Sequence, residues 1–476
     1  MPCTTLLVGK LASADGSTLI ARNSDSGAGS YTPKKFVAVL PQDQPRSYTS
    51  VISKVTIELP DDPMPYACVP NAMKDEGEWA SAGINAANVA MTATETITSN
   101  PRVQGADPLV KGGIGEEDLV TIVLPYVRTA KEGCLRLGSL LEQYGTYEMN
   151  GIGFCDGKDV WWLETIGGHH WMARRLPDDA YAVIPNQLGL DFFDFSDPEN
   201  FIGSADLETF VKDNSLDLRM DPEEPFNPRD AFGSHDDSDH TYNTPRAWWA
   251  LKQLNPNSFA WTGPEADFTP DSNDLPWCLV PEKKITVEDV KYILSGHYQG
   301  TPFDPYLHHG DTSMAGAFRT IGINRTDYLG CCQVKTDAPS ILWLAYASNP
   351  FNVMVPFYTD ITDTPAYVRD TTETVSTDSF YWTSRMIAAM ADACDRESAI
   401  FIERYQNTVG GRCRRILNEY TPQIQSAADE GKAVQLCMEA NDKVAAVTKE
   451  EAEKCLGEVL KALSNRMKNA FSRSDA

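Results

Sequence analysis

The stretch "CTTLLVGKLASADGSTLIARNSD", residues 3–25, decides how this chain is read. Two strand-like runs, "TTLLVG" and "STLIAR", flank Asp15-Gly16, a strong hairpin turn signal. A two-residue turn there pairs positions that sum to 31, so that Cys3 faces Ala28 and Asp25 faces Leu6. A connection a few residues longer slides Cys3 opposite Asp25. Either register brings Cys3 near Arg22 and Asp25 by local geometry alone. A neighbouring arginine favours the nucleophilic thiolate, and a carboxylate can hold an amine. The same residues also suit a buried strand cysteine beside a surface Arg–Asp pair, and the hairpin alone leaves both readings open.

Outward from the hairpin, the chain alternates strands and helices. "GINAANVAMTAT" (83–94) and "GIGFCDGKDVWWLET" (151–165) read as strands. Residues 116–145 carry helical periodicity, with Glu116, Glu117 and Asp118 placed for a helix N-terminus. Pro125 is expected to kink or divide that helix. Residues 191–245, rich in Asp, Pro, Asn and Ser, read mostly as loops. "ILWLAYA" and "FNVMVPFY" read as late strands, and the pattern is helical from about residue 378. This order predicts a layered α/β or α+β domain with a helical C-terminal part.

Composition narrows the function classes. The 476 residues carry a formal net charge of −26, which repels nucleic acid phosphates and anionic lipid. Neither nucleic acid nor membrane is therefore an expected partner. No apolar run approaches the ~20 residues of a membrane span, and no signal-peptide pattern opens the chain. Eleven cysteines, without CxxC or framework spacing, fit a reducing compartment. The expected location is the cytoplasm. "HDDSDH" (235–240) lacks the spacing of a metal motif and reads as a solvated acidic loop. No metal and no cofactor are expected.

Further stretches agree with the hairpin: "GINAANVAMTATET", "VWWLETIGGHHWMARRLPDDAYAVIPNQLG", "YNTPRAWW" and "LWLAYASNPFNVMVPFY". In this order, from residue 3 to about 390, the chain resembles the C69 cysteine dipeptidases. These are N-terminal nucleophile (Ntn) hydrolases related to penicillin V acylases and bile salt hydrolases. The resemblance implies a four-layer αββα sandwich of antiparallel sheets. It also implies a propeptide of residues 1–2, a catalytic core over 3–377 and a helical region over 378–476 packed on that core.

The resemblance assigns roles residue by residue. Cys3 matches the N-terminal nucleophile, and its own α-amine, exposed once Met1 and Pro2 are removed, matches the general base. Arg22 matches the arginine beside the nucleophile. Asp25 matches the aspartate that orients the amine. Asn186 matches an oxyanion donor, and Arg246 a second active-site arginine. Thr94, Glu95, His169 and His170 are expected to line the substrate pocket, although a salt bridge suits Glu95 equally well and histidines in such a turn are more often simply packed and hydrogen-bonded. The implied reaction is dipeptide hydrolysis through a thioester on Cys3, with short peptides as substrates and homo-oligomers as the assembly. Two alternatives stand beside it: an amide hydrolase for non-peptide N-acyl substrates, and a non-catalytic interaction protein on the same fold.

Overall fold

The opening residues form the centre of a sheet. The computed structural model describes residues 3–73, 76–92, 95–221, 223–234 and 236–469, with the Glu95 side chain excepted. Strand β1 (Cys3–Val8) pairs antiparallel with β2 (Thr18–Asp25), which pairs on its other side with β3 (Thr326–Val334). The complete order across this seven-stranded sheet is 278–279, 181–184, β1, β2, β3, 341–346 and 355–358. A second, nine-stranded antiparallel sheet is built around the hairpin of Asn150–Cys155 and Val160–Thr165.

The two sheets pack face to face. Leu7 and Ile20 of the first approach Gly153 of the second. Helix α1 (Ala130–Tyr144) covers the outer face of the second sheet, where Leu137 and Leu141 join Phe154, Trp161 and Leu163 in one buried cluster. Helices α2 (Thr244–Leu254), α3 (Val287–Leu294), α4 (Phe380–Ala393), α5 (Asp395–Gln425) and α6 (Glu430–Ser464) belong to the opposite side of the molecule. They share a buried core with β1–β3. The fold is an α+β sandwich of antiparallel sheets with a helical C-terminal part. Among the described residues, no helix is long and apolar enough to cross a membrane.

The open edge of the first sheet is closed by α6. Asn441, fully buried, donates from Nδ2 to Tyr358 O and accepts from Tyr358 N, at 3.0 and 2.9 Å. Its carboxamide takes the place of a further strand at an edge that would otherwise leave backbone groups unpaired.

The register of the opening hairpin corrects the expectation. Cys3 pairs with Ser24 and Thr5 with Arg22, so paired positions sum to 27 rather than 31. Residues 9–17 do not form a two-residue turn, because tertiary contacts claim them. Gly9 N and Leu11 N donate to Ala180 O and Asp178 O, and Ala14 N donates to Ile285 O. Gly16 does adopt the positive φ of a turn, at 80°. A shift of four is even, so residues of the two strands that share a face in the two-residue-turn register share it here. Pro125 lies in a short 3-10 turn that separates Leu119–Val123 from α1, which divides the expected long helix.

Candidate active site

Alternation along β1 and β2 sorts the site into two faces. Cys3, Thr5, Leu7, Ile20, Arg22 and Ser24 point into the space between the sheets. Thr4, Asn23 and Asp25 point toward the helices. The position of Leu7 and Ile20 against Gly153 fixes which face is which.

On the inner face, Arg22 Nη2 lies 2.8 Å from Cys3 Sγ and 2.7 Å from Glu116 Oε1. Arg22 is 0% exposed and Glu116 3%. A buried guanidinium needs such a carboxylate, because an uncompensated charge is costly away from water. On β3, Gly330 stands opposite Arg22 and leaves room for the Tyr328 ring. A Cβ at Gly330 would fall 1.5 Å from Tyr328 Oη. Glu116 N in turn donates to Glu148 Oε1 at 2.7 Å. Burial and the charge of Glu116 push the Glu148 carboxyl up to about 7. Lys34, also buried, donates to Asn71 Oδ1 and Trp79 O. Burial lowers its ammonium to about 8, against the opposing pull of Asp327 and Glu116.

The backbone of Cys3 is held by a different group. Its N donates to Asn186 Oδ1 at 3.0 Å, and its O accepts from Arg246 Nη1 at 2.5 Å. Arg246 Nη1 also reaches Thr4 Oγ1 at 2.7 Å, and Nη2 reaches Asn186 Oδ1 at 2.9 Å and Asn243 Oδ1 at 2.6 Å. Asn186 Nδ2 donates to Thr96 O at 3.1 Å. Two donors on Oδ1 and a carbonyl on Nδ2 define the orientation of the Asn186 carboxamide. Arg246 projects from the first turn of α2, with Pro245 in the position that suits a helix start. Asn243 occupies the N-cap of α2, yet its side chain makes no capping bond. Its carboxamide is instead turned to Arg246 and to Asn186 O. A local cap is given up where the site needs the side chain.

On the outer face, Asp25 is held by Arg319 and by Thr326 Oγ1, the latter at 2.6 Å. Burial disfavours the charged Arg319 guanidinium, but Asp25 and Tyr242 act together against this and its pKa is raised. The β3 strand bulges at Asp327, next to this pair. Asp327 accepts from Ser26, from Tyr381 Oη at 2.6 Å and from Arg385 Nη2 at 2.7 Å. Helix α4 is thereby tied to β3, the strand whose Thr326 binds Asp25.

The structure thus gathers Cys3, Arg22, Asn186 and Arg246 into one hydrogen-bonded group, with Asp25 at the end of the adjoining strand. His169 and His170 belong to a separate network. Their Nδ1 atoms lie 3.0 and 2.8 Å from the two Asp107 oxygens, and His170 stacks on Phe210. Asp107 holds the His170 imidazole above its ordinary pKa despite the opposing effect of burial. Thr94 and the Glu95 side chain lie outside the described residues, as do Met1 and Pro2. The acidic run near residue 240 is used locally: Asp239 accepts from Asn243, and His240 Nε2 lies 2.9 Å from Asn273 Oδ1.

Sequence reasoning missed Glu116, Arg319, Asn243 and Thr4. Asn243 stands inside the quoted "YNTPRAWW", so that signal was available. Glu116 suits a helix start in the sequence, and nothing local in "GAFRTIG" marks Arg319.

A buried cysteine at the head of a central strand, with a guanidinium on its sulfur and a carboxamide on its nitrogen, is an arrangement that a cysteine-type hydrolase can use. The comparisons with known proteins specify the family. The model of peptidase family C69 matches residues 2–408. The dipeptidase of Bifidobacterium longum (strain NCC 2705) is 50% identical over the whole of both chains. The probable dipeptidase A of Streptococcus pyogenes serotype M3 is 51% identical, again over the whole of both chains. The probable dipeptidase B of Lactococcus lactis is 42% identical over 99% of this chain and 98% of its own. The chain belongs to peptidase family C69 and is a cysteine-type peptidase.

Proposed function

We propose that this protein is a dipeptidase that hydrolyses short peptides through a thioester on Cys3. The observation that carries the proposal is the Arg22 guanidinium 2.8 Å from Cys3 Sγ, on a cysteine whose N and O are both clamped. Removal of Met1 and Pro2 gives Cys3 a free α-amine. Such an amine has an ordinary pKa of about 7.7–8.0, so it can accept the thiol proton near neutral pH. The sulfur then attacks the peptide carbonyl carbon, and the carbonyl oxygen becomes an oxyanion. Asn186 donates to that oxygen, and one such donor contributes about 3–4 kcal/mol to the transition state. The ammonium returns its proton to the leaving amine as the C–N bond breaks. Water, deprotonated by the same amine, hydrolyses the thioester and restores the thiol.

The surrounding charges suit this cycle. Arg22 stabilises the thiolate, and Glu116 keeps Arg22 in place. Asn186 Oδ1 accepts from the Cys3 nitrogen and is itself fixed by Arg246. Asp25, backed by Arg319, supplies a negative charge beside the amine when it carries a proton.

The test uses enzyme whose N-terminal residue has been verified as Cys3 by mass spectrometry. Dipeptide hydrolysis is expected, and Cys3→Ala should reduce it by roughly 10⁴-fold or more. Activity retained in Cys3→Ala rejects the mechanism. A preference for N-acylated amides over dipeptides with a free amine rejects the substrate class.

A further inference from the structure

Several arginines buried or half-buried in this chain are matched to carboxylates. Arg22 meets Glu116, Arg174 meets Asp191, Arg319 meets Asp25, and Arg385 meets Asp327. Arg46, Arg136 and Arg229 meet no carboxylate among the described residues but spend donors on backbone carbonyls; Arg325 has neither. It is half-buried, and its guanidinium makes one hydrogen bond, from Nη2 to Tyr242 Oη at 2.6 Å. Among the described residues no carboxylate lies within ion-pair distance of it. A chain with 67 acidic residues against 41 basic ones does not lack partners. An arginine left with a single neutral acceptor, partly out of water, has donors to offer to a ligand.

Its location says which ligand. Arg325 immediately precedes Thr326, which binds Asp25, and Arg325 O accepts from Ser26 N at 2.9 Å. Tyr242 links it to the nucleophile. The Tyr242 carbonyl accepts from Arg246 Nε at 2.7 Å, and Arg246 binds Cys3 O. The Tyr242 ring is also held under two guanidinium groups, with Arg246 at 5.4 Å and Arg319 at 5.0 Å from its centroid. Such a ring is well fixed, and its hydroxyl fixes Arg325.

We propose that Arg325, oriented by Tyr242, binds the C-terminal carboxylate of the peptide substrate. The inference rests on the dipeptidase reading and deepens it. A planar guanidinium fork matches a carboxylate through two parallel hydrogen bonds. A carboxylate held at a set distance from Cys3 limits the substrate to a short peptide with a free C-terminus. Local positive charge is also what an anionic end group needs on a protein of net charge −26.

The experiment compares alanyl-alanine with its C-terminal carboxamide. Wild type is expected to favour the free acid. In Arg325→Gln, the ratio of kcat/KM for acid over amide should fall on the order of 100-fold, mostly through KM. Tyr242→Phe should move the same ratio in the same direction by a smaller factor. Arg325→Lys, which keeps the charge and loses the fork, gives an intermediate ratio and serves if the Gln variant does not fold. An acid-to-amide ratio unchanged in Arg325→Gln and Arg325→Lys overturns the carboxylate subsite while leaving the dipeptidase reading intact. Wild type inactive on both compounds and on a wider dipeptide panel overturns that reading, and the subsite with it.

Discussion

Arg22 meets Glu116 at 2.7 Å behind Cys3, where neither side chain touches water to any extent. Arg412 meets Glu450 and Glu451 at 2.9 and 2.6 Å across the α5–α6 hairpin, with 31% of its side chain exposed. The chemical pair is the same, and the consequences differ because the solvent differs. At the surface, water solvates either partner if the other leaves, and salt screens what attraction there is. Between the sheets, each charge depends on the other. A buried pair is a poor source of net stability, since its desolvation offsets the attraction. What it supplies is position: a guanidinium locked on a sulfur, at a place where a mobile lysine would not serve.

The largest expected effect therefore comes from removing one side of the buried pair. Glu116→Gln leaves the Arg22 charge without its carboxylate in a site sealed from solvent. Denaturant unfolding should show a loss of about 3–5 kcal/mol. Peptide hydrolysis should fall as well, because Arg22 is no longer pinned against Cys3. A variant as stable and as active as wild type would show that the pair is no more than a surface bridge folded inward.

Glu164 sharpens the comparison, for it is a buried carboxyl held by hydrogen bonds and, among the described residues, by no ion pair. It is fully buried on the second sheet, and accepts from Gly189 N at 2.7 Å and Trp162 Nε1 at 2.9 Å. It thereby braces the turn that carries Asn186. Burial raises its pKa from 4.5 to about 7, and the hydrogen bonds only partly oppose this. The folded state then holds a proton that the unfolded state releases. This contribution is complete below pH 4.5 and is lost as pH rises through 7. The shift corresponds to about 3 kcal/mol across that window. Glu164→Gln cannot titrate, so its unfolding free energy should lose that part of the decline between pH 4.5 and 7. Parallel pH profiles for wild type and variant would show that Glu164 stays ionised in the fold.

These contrasts also explain what the sequence could disclose. Alternation along 3–8 and 18–25 sorts the residues within each strand, because side-chain direction in a strand is local, but whether Cys3 and Arg22 share a face depends on the register. The register was not legible, since residues 9–17 are held by Asp178, Ala180 and Ile285, far along the chain. Asn186 and Arg246 were reached only through their motifs, as no spacing links them to Cys3. Glu116 sits 94 positions from Arg22, and its neighbours Glu117 and Asp118 offered a plausible helix start that hid its use. Arg319 comes from an irregular segment where no period exists to read. The helices after 378 were legible from their apolar stripes, but the break at Cys394 between α4 and α5 carries no proline or glycine to announce it.

The smallest expected effect belongs to the helical hairpin, and its smallness is the informative part. Arg412→Ala removes two ion pairs at once, against one for Glu116→Gln. A count of bridges would rank it as the more damaging change. Solvent exposure predicts the reverse: a loss below about 1 kcal/mol, shrinking further in high salt. Measuring both variants at low and high ionic strength separates the two views. The Arg412 effect should fade as salt is added, while the Glu116 effect should persist because ions cannot enter between the sheets. Equal salt sensitivity would mean that the inter-sheet space around Arg22 admits solvent. Glu116 would then not be what fixes the guanidinium on Cys3.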